Sequence, residues 1–450
     1  MNYVVPKKFI FSRGKLFIYS KTLTKNSHFV LTIFWITILF QLTMLKNIWA
    51  IEAIARFFNL VTLVTVSLYA AYSIFFYRFR KNVWHFYIMP GLLVFLGLFL
   101  NITLNSVANF SVVNYFGLML PWAIYMAMPA LLKKNVCNSE TLWHCFYYFM
   151  LIIVILGLLE SFLVFTSAYS LRMISIPTGK FLAGSFSILH LLKDGSPYYR
   201  FYACFGEPGT LAMFLLPVVA YAYFHKKYIG LVIFIIGLYR TESTGGMIGL
   251  AILIPLLLYV STNKRKIPLF VPIFVLILSL SVIMLNYMGN TIAAYEKKTQ
   301  SSNVRIDNFT NTIKNLPAMI IVNPIGFKLT ERSMSASQSK YYFGSNFTLG
   351  RALHLGGFSA FLGYLLIIVV FFTVTFLSII RKNLSLEEKT VFCSLVVLFP
   401  FIIQRTTVWD SAICAFLFAP SIIRFLEQSH YNRVRKVSVS LKTYRERKLF

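Results

Sequence analysis

Unbroken apolar runs recur along the chain at approximately residues 28–48, 57–77, 84–104, 111–132, 143–167, 207–225, 228–240, 243–261, 267–287, 352–380, 389–404 and 407–425. An α-helix needs about 20 mostly apolar residues to cross about 30 Å of hydrocarbon. Most of the runs meet that length; the seventh is short and the eleventh marginal. The pattern predicts an all-α polytopic integral membrane protein with about twelve transmembrane helices, forming one domain over residues 1–450. The first run is not a cleavable signal peptide, because its core is too long and no small-residue cleavage site follows it. Polar residues fall mainly in short gaps and in two long ones, 168–206 and 288–351. Loops longer than about 15 residues without structure of their own are uncommon, so both are expected to be structured. In the second, Arg305 to Met319 is an amphipathic stretch, closed by Pro317 and then by Asn323-Pro324-Ile325-Gly326.

The short gaps give the orientation. Lys and Arg accumulate in cytoplasmic loops, and here they occupy alternate gaps: Arg78/Arg80/Lys81, Lys133/Lys134, Lys226/Lys227, Lys264/Arg265/Lys266 and Arg381/Lys382/Lys389. The N-terminal segment 1–27 and the tail 426–450 are basic as well. Together with Arg424 these positions hold 27 of the 43 basic residues. Both termini are therefore expected in the cytoplasm, with the two long loops external. Composition agrees: 58% of residues are hydrophobic and 13% charged, against roughly 45–50% and about 25% in globular proteins. A net charge of +29 invites a nucleic-acid reading, but so apolar a chain excludes that partner in favour of the lipid bilayer.

Of the five Cys, only Cys204 falls on the external side, so no disulfide framework is expected. No Cys or His spacing resembles a metal site. The informative charges are those at span ends, since ionisable groups inside a membrane are costly and mark functional paths. Glu160, Glu207, Arg240, Glu242, Arg351, His354, Arg405 and Asp410 all fall toward the external ends of their spans. From Lys227 to Arg240 is only about 20 Å of helix at 1.5 Å per residue. Arg240 is therefore either recessed in an external pocket floored by the polar turn Thr241–Gly246, or snorkels through a locally thinned bilayer. Arginine presents a fork suited to phosphate and carboxylate oxygens. Arg200, Arg240, Arg305 and Arg351 in one layer suit an anionic, lipid-linked ligand.

Four passages resemble a known family. Tyr199-Arg200-Phe201-Tyr202-Ala203-Cys204-Phe205-Gly206-Glu207-Pro208-Gly209 is similar to a passage before a central span of bacterial O-antigen and capsule polymerases of the Wzy type. Thr241-Glu242-Ser243-Thr244-Gly245-Gly246 resembles their polar turn, with Thr244 where many relatives carry Arg. Val304-Arg305-Ile306 followed by Asn323-Pro324-Ile325-Gly326-Phe327 resembles their external loop, with Phe309 in place of a common Trp. Ser345-Asn346-Phe347 leading to Gly356-Gly357 resembles the closing passage; the related O-antigen ligases carry His where Ser345 stands.

The resemblance implies glycosyl transfer between undecaprenyl-pyrophosphate-linked glycans at the external face of a bacterial inner membrane. It implies a chain-length regulator and a flippase as partners. Such chemistry needs a base for the attacking hydroxyl and cations for the departing pyrophosphate. The external side lacks a carboxylate cluster suited to Mg²⁺, so arginines take that part, and transfer without a metal or other cofactor is expected. Glu207 is the first candidate base, with Arg305, Arg351 and His354 as further catalytic candidates. An acidic residue at a helix N-terminus also serves the helix itself. Tyr199, Arg200, Arg240, Glu242 and Asn346 are the candidate substrate contacts, while Glu160 and Asp410 are expected to pair with arginines. An O-antigen ligase or other lipid-linked glycan transferase is the nearest alternative. A lipid-linked oligosaccharide flippase is the other, although alternating access favours midplane charge and a repeat of halves that the sequence does not display.

Overall fold

The computed structural model describes residues 25–77, 81–105, 112–165, 172–176, 179–186, 188–189, 201–261, 311, 313–322, 324–327, 348–380, 384–404 and 413–428. They are mostly helical. In chain order the helices are α1 (Lys25–Leu42), α2 (Glu52–Tyr77), α3 (Lys81–Asn105), α4 (Val112–Lys133), α5 (Ser139–Phe165), α6 (Pro208–Phe224), α7 (Tyr228–Arg240) and α8 (Thr244–Ser261). They continue with α9 (Ile313–Val322), α10 (Thr348–Ile380), α11 (Leu386–Gln404) and α12, which starts with Ile413–Leu417 and resumes over 419–428. Five of them, α2, α3, α5, α8 and α10, are long and apolar enough to cross a membrane. The ninth predicted run, 267–287, lies outside the described residues, as do residues 1–24 and 429–450, the greater part of both basic terminal segments.

The division of side chains on α2 explains how such helices associate. Its buried positions are mostly small or hydroxylated, Ala55, Thr62, Val66, Ala70 and Ser73, while Phe57, Leu60, Val64, Leu68 and Phe75 point outward. Where the surroundings are as apolar as leucine, helices gain from close packing and hydrogen bonds, so small residues line the seam. Thr37 on α1 meets Thr62 at 2.6 Å. Ser73 accepts the backbone N–H of Ala130 at 3.1 Å, and Tyr77 donates to the carbonyl of Pro129. Proline at 129 removes the N–H that would reach the carbonyl of Tyr125. Tyr87 of α3 supplies the replacement, its hydroxyl donating to that carbonyl at 2.9 Å.

Helix α6 stands at the centre. Every one of its residues except Tyr223 is buried, by α5, α7, α8 and α11. The last helix is almost as enclosed: Phe416 lies against Phe34 and Trp35 of α1, and Phe418 against Trp143 of α5.

The helical frame carries one addition that hydropathy did not announce. Within the first long loop, β1 (Arg172–Ile176), β2 (Gly179–Ala183) and β3 (Ile188–Leu189) form an antiparallel sheet in the order β1-β2-β3. Ile176 pairs with Gly179 and Ala183 with Ile188. A second difference concerns the amphipathic stretch of the other loop. Helix α9 runs through Pro317 to Val322, because Leu316, Met319 and Ile320, on both sides of the proline, pack onto Leu353 and Phe361 of α10.

Candidate functional site

The two ends of the bundle differ in chemistry. At one end lie the basic turns. Lys133 and Lys134 sit over the rings of Phe76 and Tyr72, and Lys227 over Tyr147, Tyr148 and Tyr221. Asn82 reaches the carbonyl of Leu426. The described candidate residues all fall at the other end.

There the segment Phe201–Gly206 forms a buried strap ahead of α6. The N–H of Phe201 donates to the carbonyl of Arg240 at 3.1 Å, and that of Met44 to the carbonyl of Cys204 at 2.7 Å. Gly157 of α5 admits Phe201 and Ala203, both of which a side chain there would meet at 3.0 Å. Burial pushes the Cys204 thiol up to about 12. The strap ends at Glu207, extended at φ −147° and ψ 143°, with Pro208 opening α6. Glu207 is exposed. Its backbone carbonyl takes the N–H groups of Thr210 and Leu211, and its carboxylate makes no capping hydrogen bond to the helix.

The strap's hydrogen bond to Arg240 joins the first family-like passage to the second. Arg240 is the half-buried last residue of α7. Thr241, fully buried, donates to the carbonyl of Leu238 at 2.7 Å and accepts the N–H of Ser243. Ser243 in turn caps α8 by accepting the N–H of Gly246. Glu242, half-buried, turns the chain at φ 49°. The glycines serve packing: a side chain at Gly246 would strike Ala212 of α6, and one at Gly245 the ring of Phe401 on α11.

The described parts of the third and fourth passages, Pro324–Phe327 and Gly356–Gly357, meet likewise. Helix α10 breaks at Gly356 (φ −144°, ψ 16°) and Gly357 (φ 61°, ψ −156°). The turn Pro324–Phe327 docks on the break. Phe327 donates its N–H to the carbonyl of His354 at 2.8 Å, and Phe358 donates to that of Pro324 at 2.9 Å. The rings of Phe327 and His354 stack with centroids 5.1 Å apart. Helix α3 closes the joint: Asn101 donates to the carbonyl of Leu355 at 2.6 Å, and Asn105 to that of Gly326 at 3.0 Å and to Asn101 at 2.8 Å. Arg351 and His354, both half-buried, therefore ride on the first two turns of α10, held from behind by this joint.

The candidates thus fall into two groups, Glu207 with Arg240 and Glu242 along the strap, and Arg351 with His354 at the broken helix. Tyr199, Arg200, Arg305, Asn346, Arg405 and Asp410 lie outside the described residues. Glu160, expected beside an arginine, accepts the backbone N–H groups of Ser185 at 2.5 Å and Phe186 at 3.1 Å. It thereby pins the end of β2, helped by Trp49, whose indole N–H donates to the carbonyl of Ser185. Asn101 and Asn105 were not among the expected site residues. Their signal was available, a polar pair four apart in an otherwise apolar run. In chemical terms the end offers carboxylates, guanidinium groups and an imidazole beside apolar helices. Comparison of the chain with protein-family models gives no match, and no curated protein matches it.

Proposed function

We propose that this protein is a membrane-embedded glycosyltransferase that polymerises lipid-linked repeat units into a surface polysaccharide of the O-antigen or capsule kind. One observation carries the reading: the described parts of the passages that resemble such polymerases lie against one another in pairs, the strap Phe201–Gly206 at Arg240 ahead of the polar turn, and Pro324–Phe327 at the break of α10. Arg240 and Arg351 lie there, next to helices apolar enough to accompany a polyprenyl chain.

In the proposed reaction, a hydroxyl of the incoming lipid-linked unit attacks the anomeric carbon of the growing chain. The bond from that carbon to the carrier's pyrophosphate breaks, and the hydroxyl proton passes to a base. Glu207 is the base in this scheme, since it is exposed at the head of α6, within the passage that resembles the polymerases. Arg240 and Arg351, with Arg305 from the second loop, oppose the charge that grows on the leaving pyrophosphate. No metal has a part in the scheme.

The test is genetic and direct. Removing the protein from its host should leave surface glycan of single-repeat length on its anchor. Complete polymer stranded on the lipid carrier would instead indicate a ligase, and short lipid-linked units trapped inside the cell a flippase. Glu207→Ala and Arg305→Ala should each stop chain growth at unchanged protein level; full-length polymer from either variant would remove that residue from the mechanism.

A further inference from the structure

Two aromatic rings stand exposed at the end of the bundle that holds the candidate residues, and neither takes part in the proposed transfer. Trp49 closes the single helical turn Leu45–Ile48, and Phe186 follows β2. Each keeps 38% of its surface open. They meet edge to face, with centroids 5.9 Å apart and planes at 87°, and so form an open corner.

The corner is held from behind. The Trp49 indole N–H donates to the carbonyl of Ser185 at 2.8 Å. Beneath Ser185 and Phe186 lies Glu160, 5% exposed, whose carboxylate accepts the backbone N–H groups of both. Gly184 makes room for that carboxylate, which any side chain there would strike. A buried charge in a membrane protein is costly unless it is hydrogen-bonded, and here it fixes the loop that carries Phe186. A tryptophan that only anchors a protein at the interface presents its polar edge to the headgroup level. The Trp49 N–H goes to the opposite loop instead, which sets the plane of the indole.

The surroundings belong to water. Two residues before Trp49, Asn47 donates its side-chain amide to Glu52, which also pairs with Arg56 at 3.2 Å. Glu52 and Arg56 are more than half exposed, and Ser185 is exposed beside Phe186. Rings with an open ion pair and an amide nearby suit one class of ligand. A pyranose carries C–H bonds on its faces, which meet the negative face of an aromatic ring. Its hydroxyls donate to a carboxylate and accept from amide and guanidinium groups. Rings already held in place add contact area at little entropic cost.

We propose that Trp49 and Phe186, with Asn47, Glu52 and Arg56 at the rim, form a glycan-binding platform that holds sugars of a lipid-linked chain beside the reacting end. The link to the candidate site is short. Met44 donates its N–H to Cys204 of the strap and lies against Gly206, the neighbour of Glu207. From Met44 to Trp49 the helical rise is about 8 Å at 1.5 Å per residue, within the span of a short oligosaccharide. The choice of ligand rests on the polymerase reading; the fixed geometry of the corner does not.

The test is hydroxyl-radical footprinting of the unmodified full-length protein in nanodiscs of phosphatidylcholine and phosphatidylglycerol, read residue by residue by mass spectrometry. The probe is a short oligosaccharide released by mild acid from the host's own surface polysaccharide. Without it, Trp49 and Phe186 should oxidise readily; with it, both should oxidise several-fold more slowly, while Tyr228 at the basic end is unchanged. Slow oxidation without the sugar would overturn the platform, since lipid or protein then covers the rings. Equal oxidation with and without it would overturn the platform as well. In a second arm, Trp49→Ala and Phe186→Ala are titrated with the same oligosaccharide by calorimetry. Each should bind several-fold more weakly than the parent at an unchanged melting midpoint, and parent-like affinity in both refutes the proposal. If an alanine variant does not fold, the footprint alone decides. The polymerase reading fails separately, on full-length surface polymer in the strain that lacks the protein, and glycan protection of the two rings would survive that result.

Discussion

Gly357→Ala tests the joint at the broken helix. The residue occupies φ 61° and ψ −156°, a region that is essentially glycine-only and costs other residues about 1–3 kcal/mol. A methyl group there would also press into the backbone of Pro324 and Ile325, which cannot rotate aside as a side chain would. Moving the turn loosens the hydrogen bonds between Phe327 and His354 and between Phe358 and Pro324, each worth about 1 kcal/mol net. Strain and lost bonds together come to roughly 3–5 kcal/mol, a large part of a typical folding free energy of about 5–15 kcal/mol. The assay is thermal unfolding of the purified protein in detergent, with Gly117→Ala in parallel. Gly117 lies within α4 and an added methyl group meets nothing within 4 Å, so that change should stabilise by about 0.5–1 kcal/mol. Gly357→Ala should melt several degrees below the parent while Gly117→Ala melts at or above it. Equal midpoints for Gly357→Ala and the parent would refute the account of the break.

Asn101→Leu leaves the carbonyl of Leu355 without its donor and should cost about 1–3 kcal/mol; hydrogen exchange should quicken at Gly326 and Phe327, and unchanged exchange would count against the joint. In a variant keeping Cys204 as its sole cysteine, maleimide at about pH 8 should label the thiol only after unfolding, since the thiolate is the reactive form and burial pushes the group from 9.0 up to about 12; rapid labelling of folded protein would contradict that. Because the folded thiol holds its proton more tightly than the unfolded one, its contribution to stability is full below pH 9 and is lost as pH rises toward about 12, which a series of melts across that range would follow. Lys227→Met removes an ammonium from between three tyrosine rings and should cost about 0.5–2 kcal/mol, with Lys227→Arg keeping most of the stability; a parent-like melt for the methionine variant would show that the rings contribute nothing.

Much of the helical frame was legible because apolar runs of membrane length have few other uses. The run at 228–240 coincides with α7, and the polar turn after it lies where Thr241–Ser243 stand. The glycine pair at 356–357 was legible as a motif, but not as the seat of Pro324–Phe327, because the two are brought together by tertiary contacts with α3. A lone polar pair such as Asn101 and Asn105 reads as a local irregularity until its distant acceptors are known. The sheet escaped for a different reason. Its strands are short, and the turn signal in Ile176-Pro177-Thr178-Gly179 is weak beside the hydropathy of the neighbouring spans. The left-handed turn at Glu242 leaves no trace in composition, since an acidic residue occupies such a conformation only when its surroundings impose it.

The enclosure of α12 bears on how the protein is made. Its Phe416 and Phe418 fill the space between α1 and α5, and Leu426 receives Asn82 from a residue 344 positions earlier. These are contacts between helices synthesised early and a helix synthesised well after them. Until α12 is made, Phe34, Trp35 and Trp143 lack these contacts, and lipid or an insertion factor must occupy the gap. Final packing of α1 and α5 is thus deferred until α12 has been inserted. A nascent chain that stalls after α11 is left with an open seam, a mark by which quality control can distinguish it from the finished molecule.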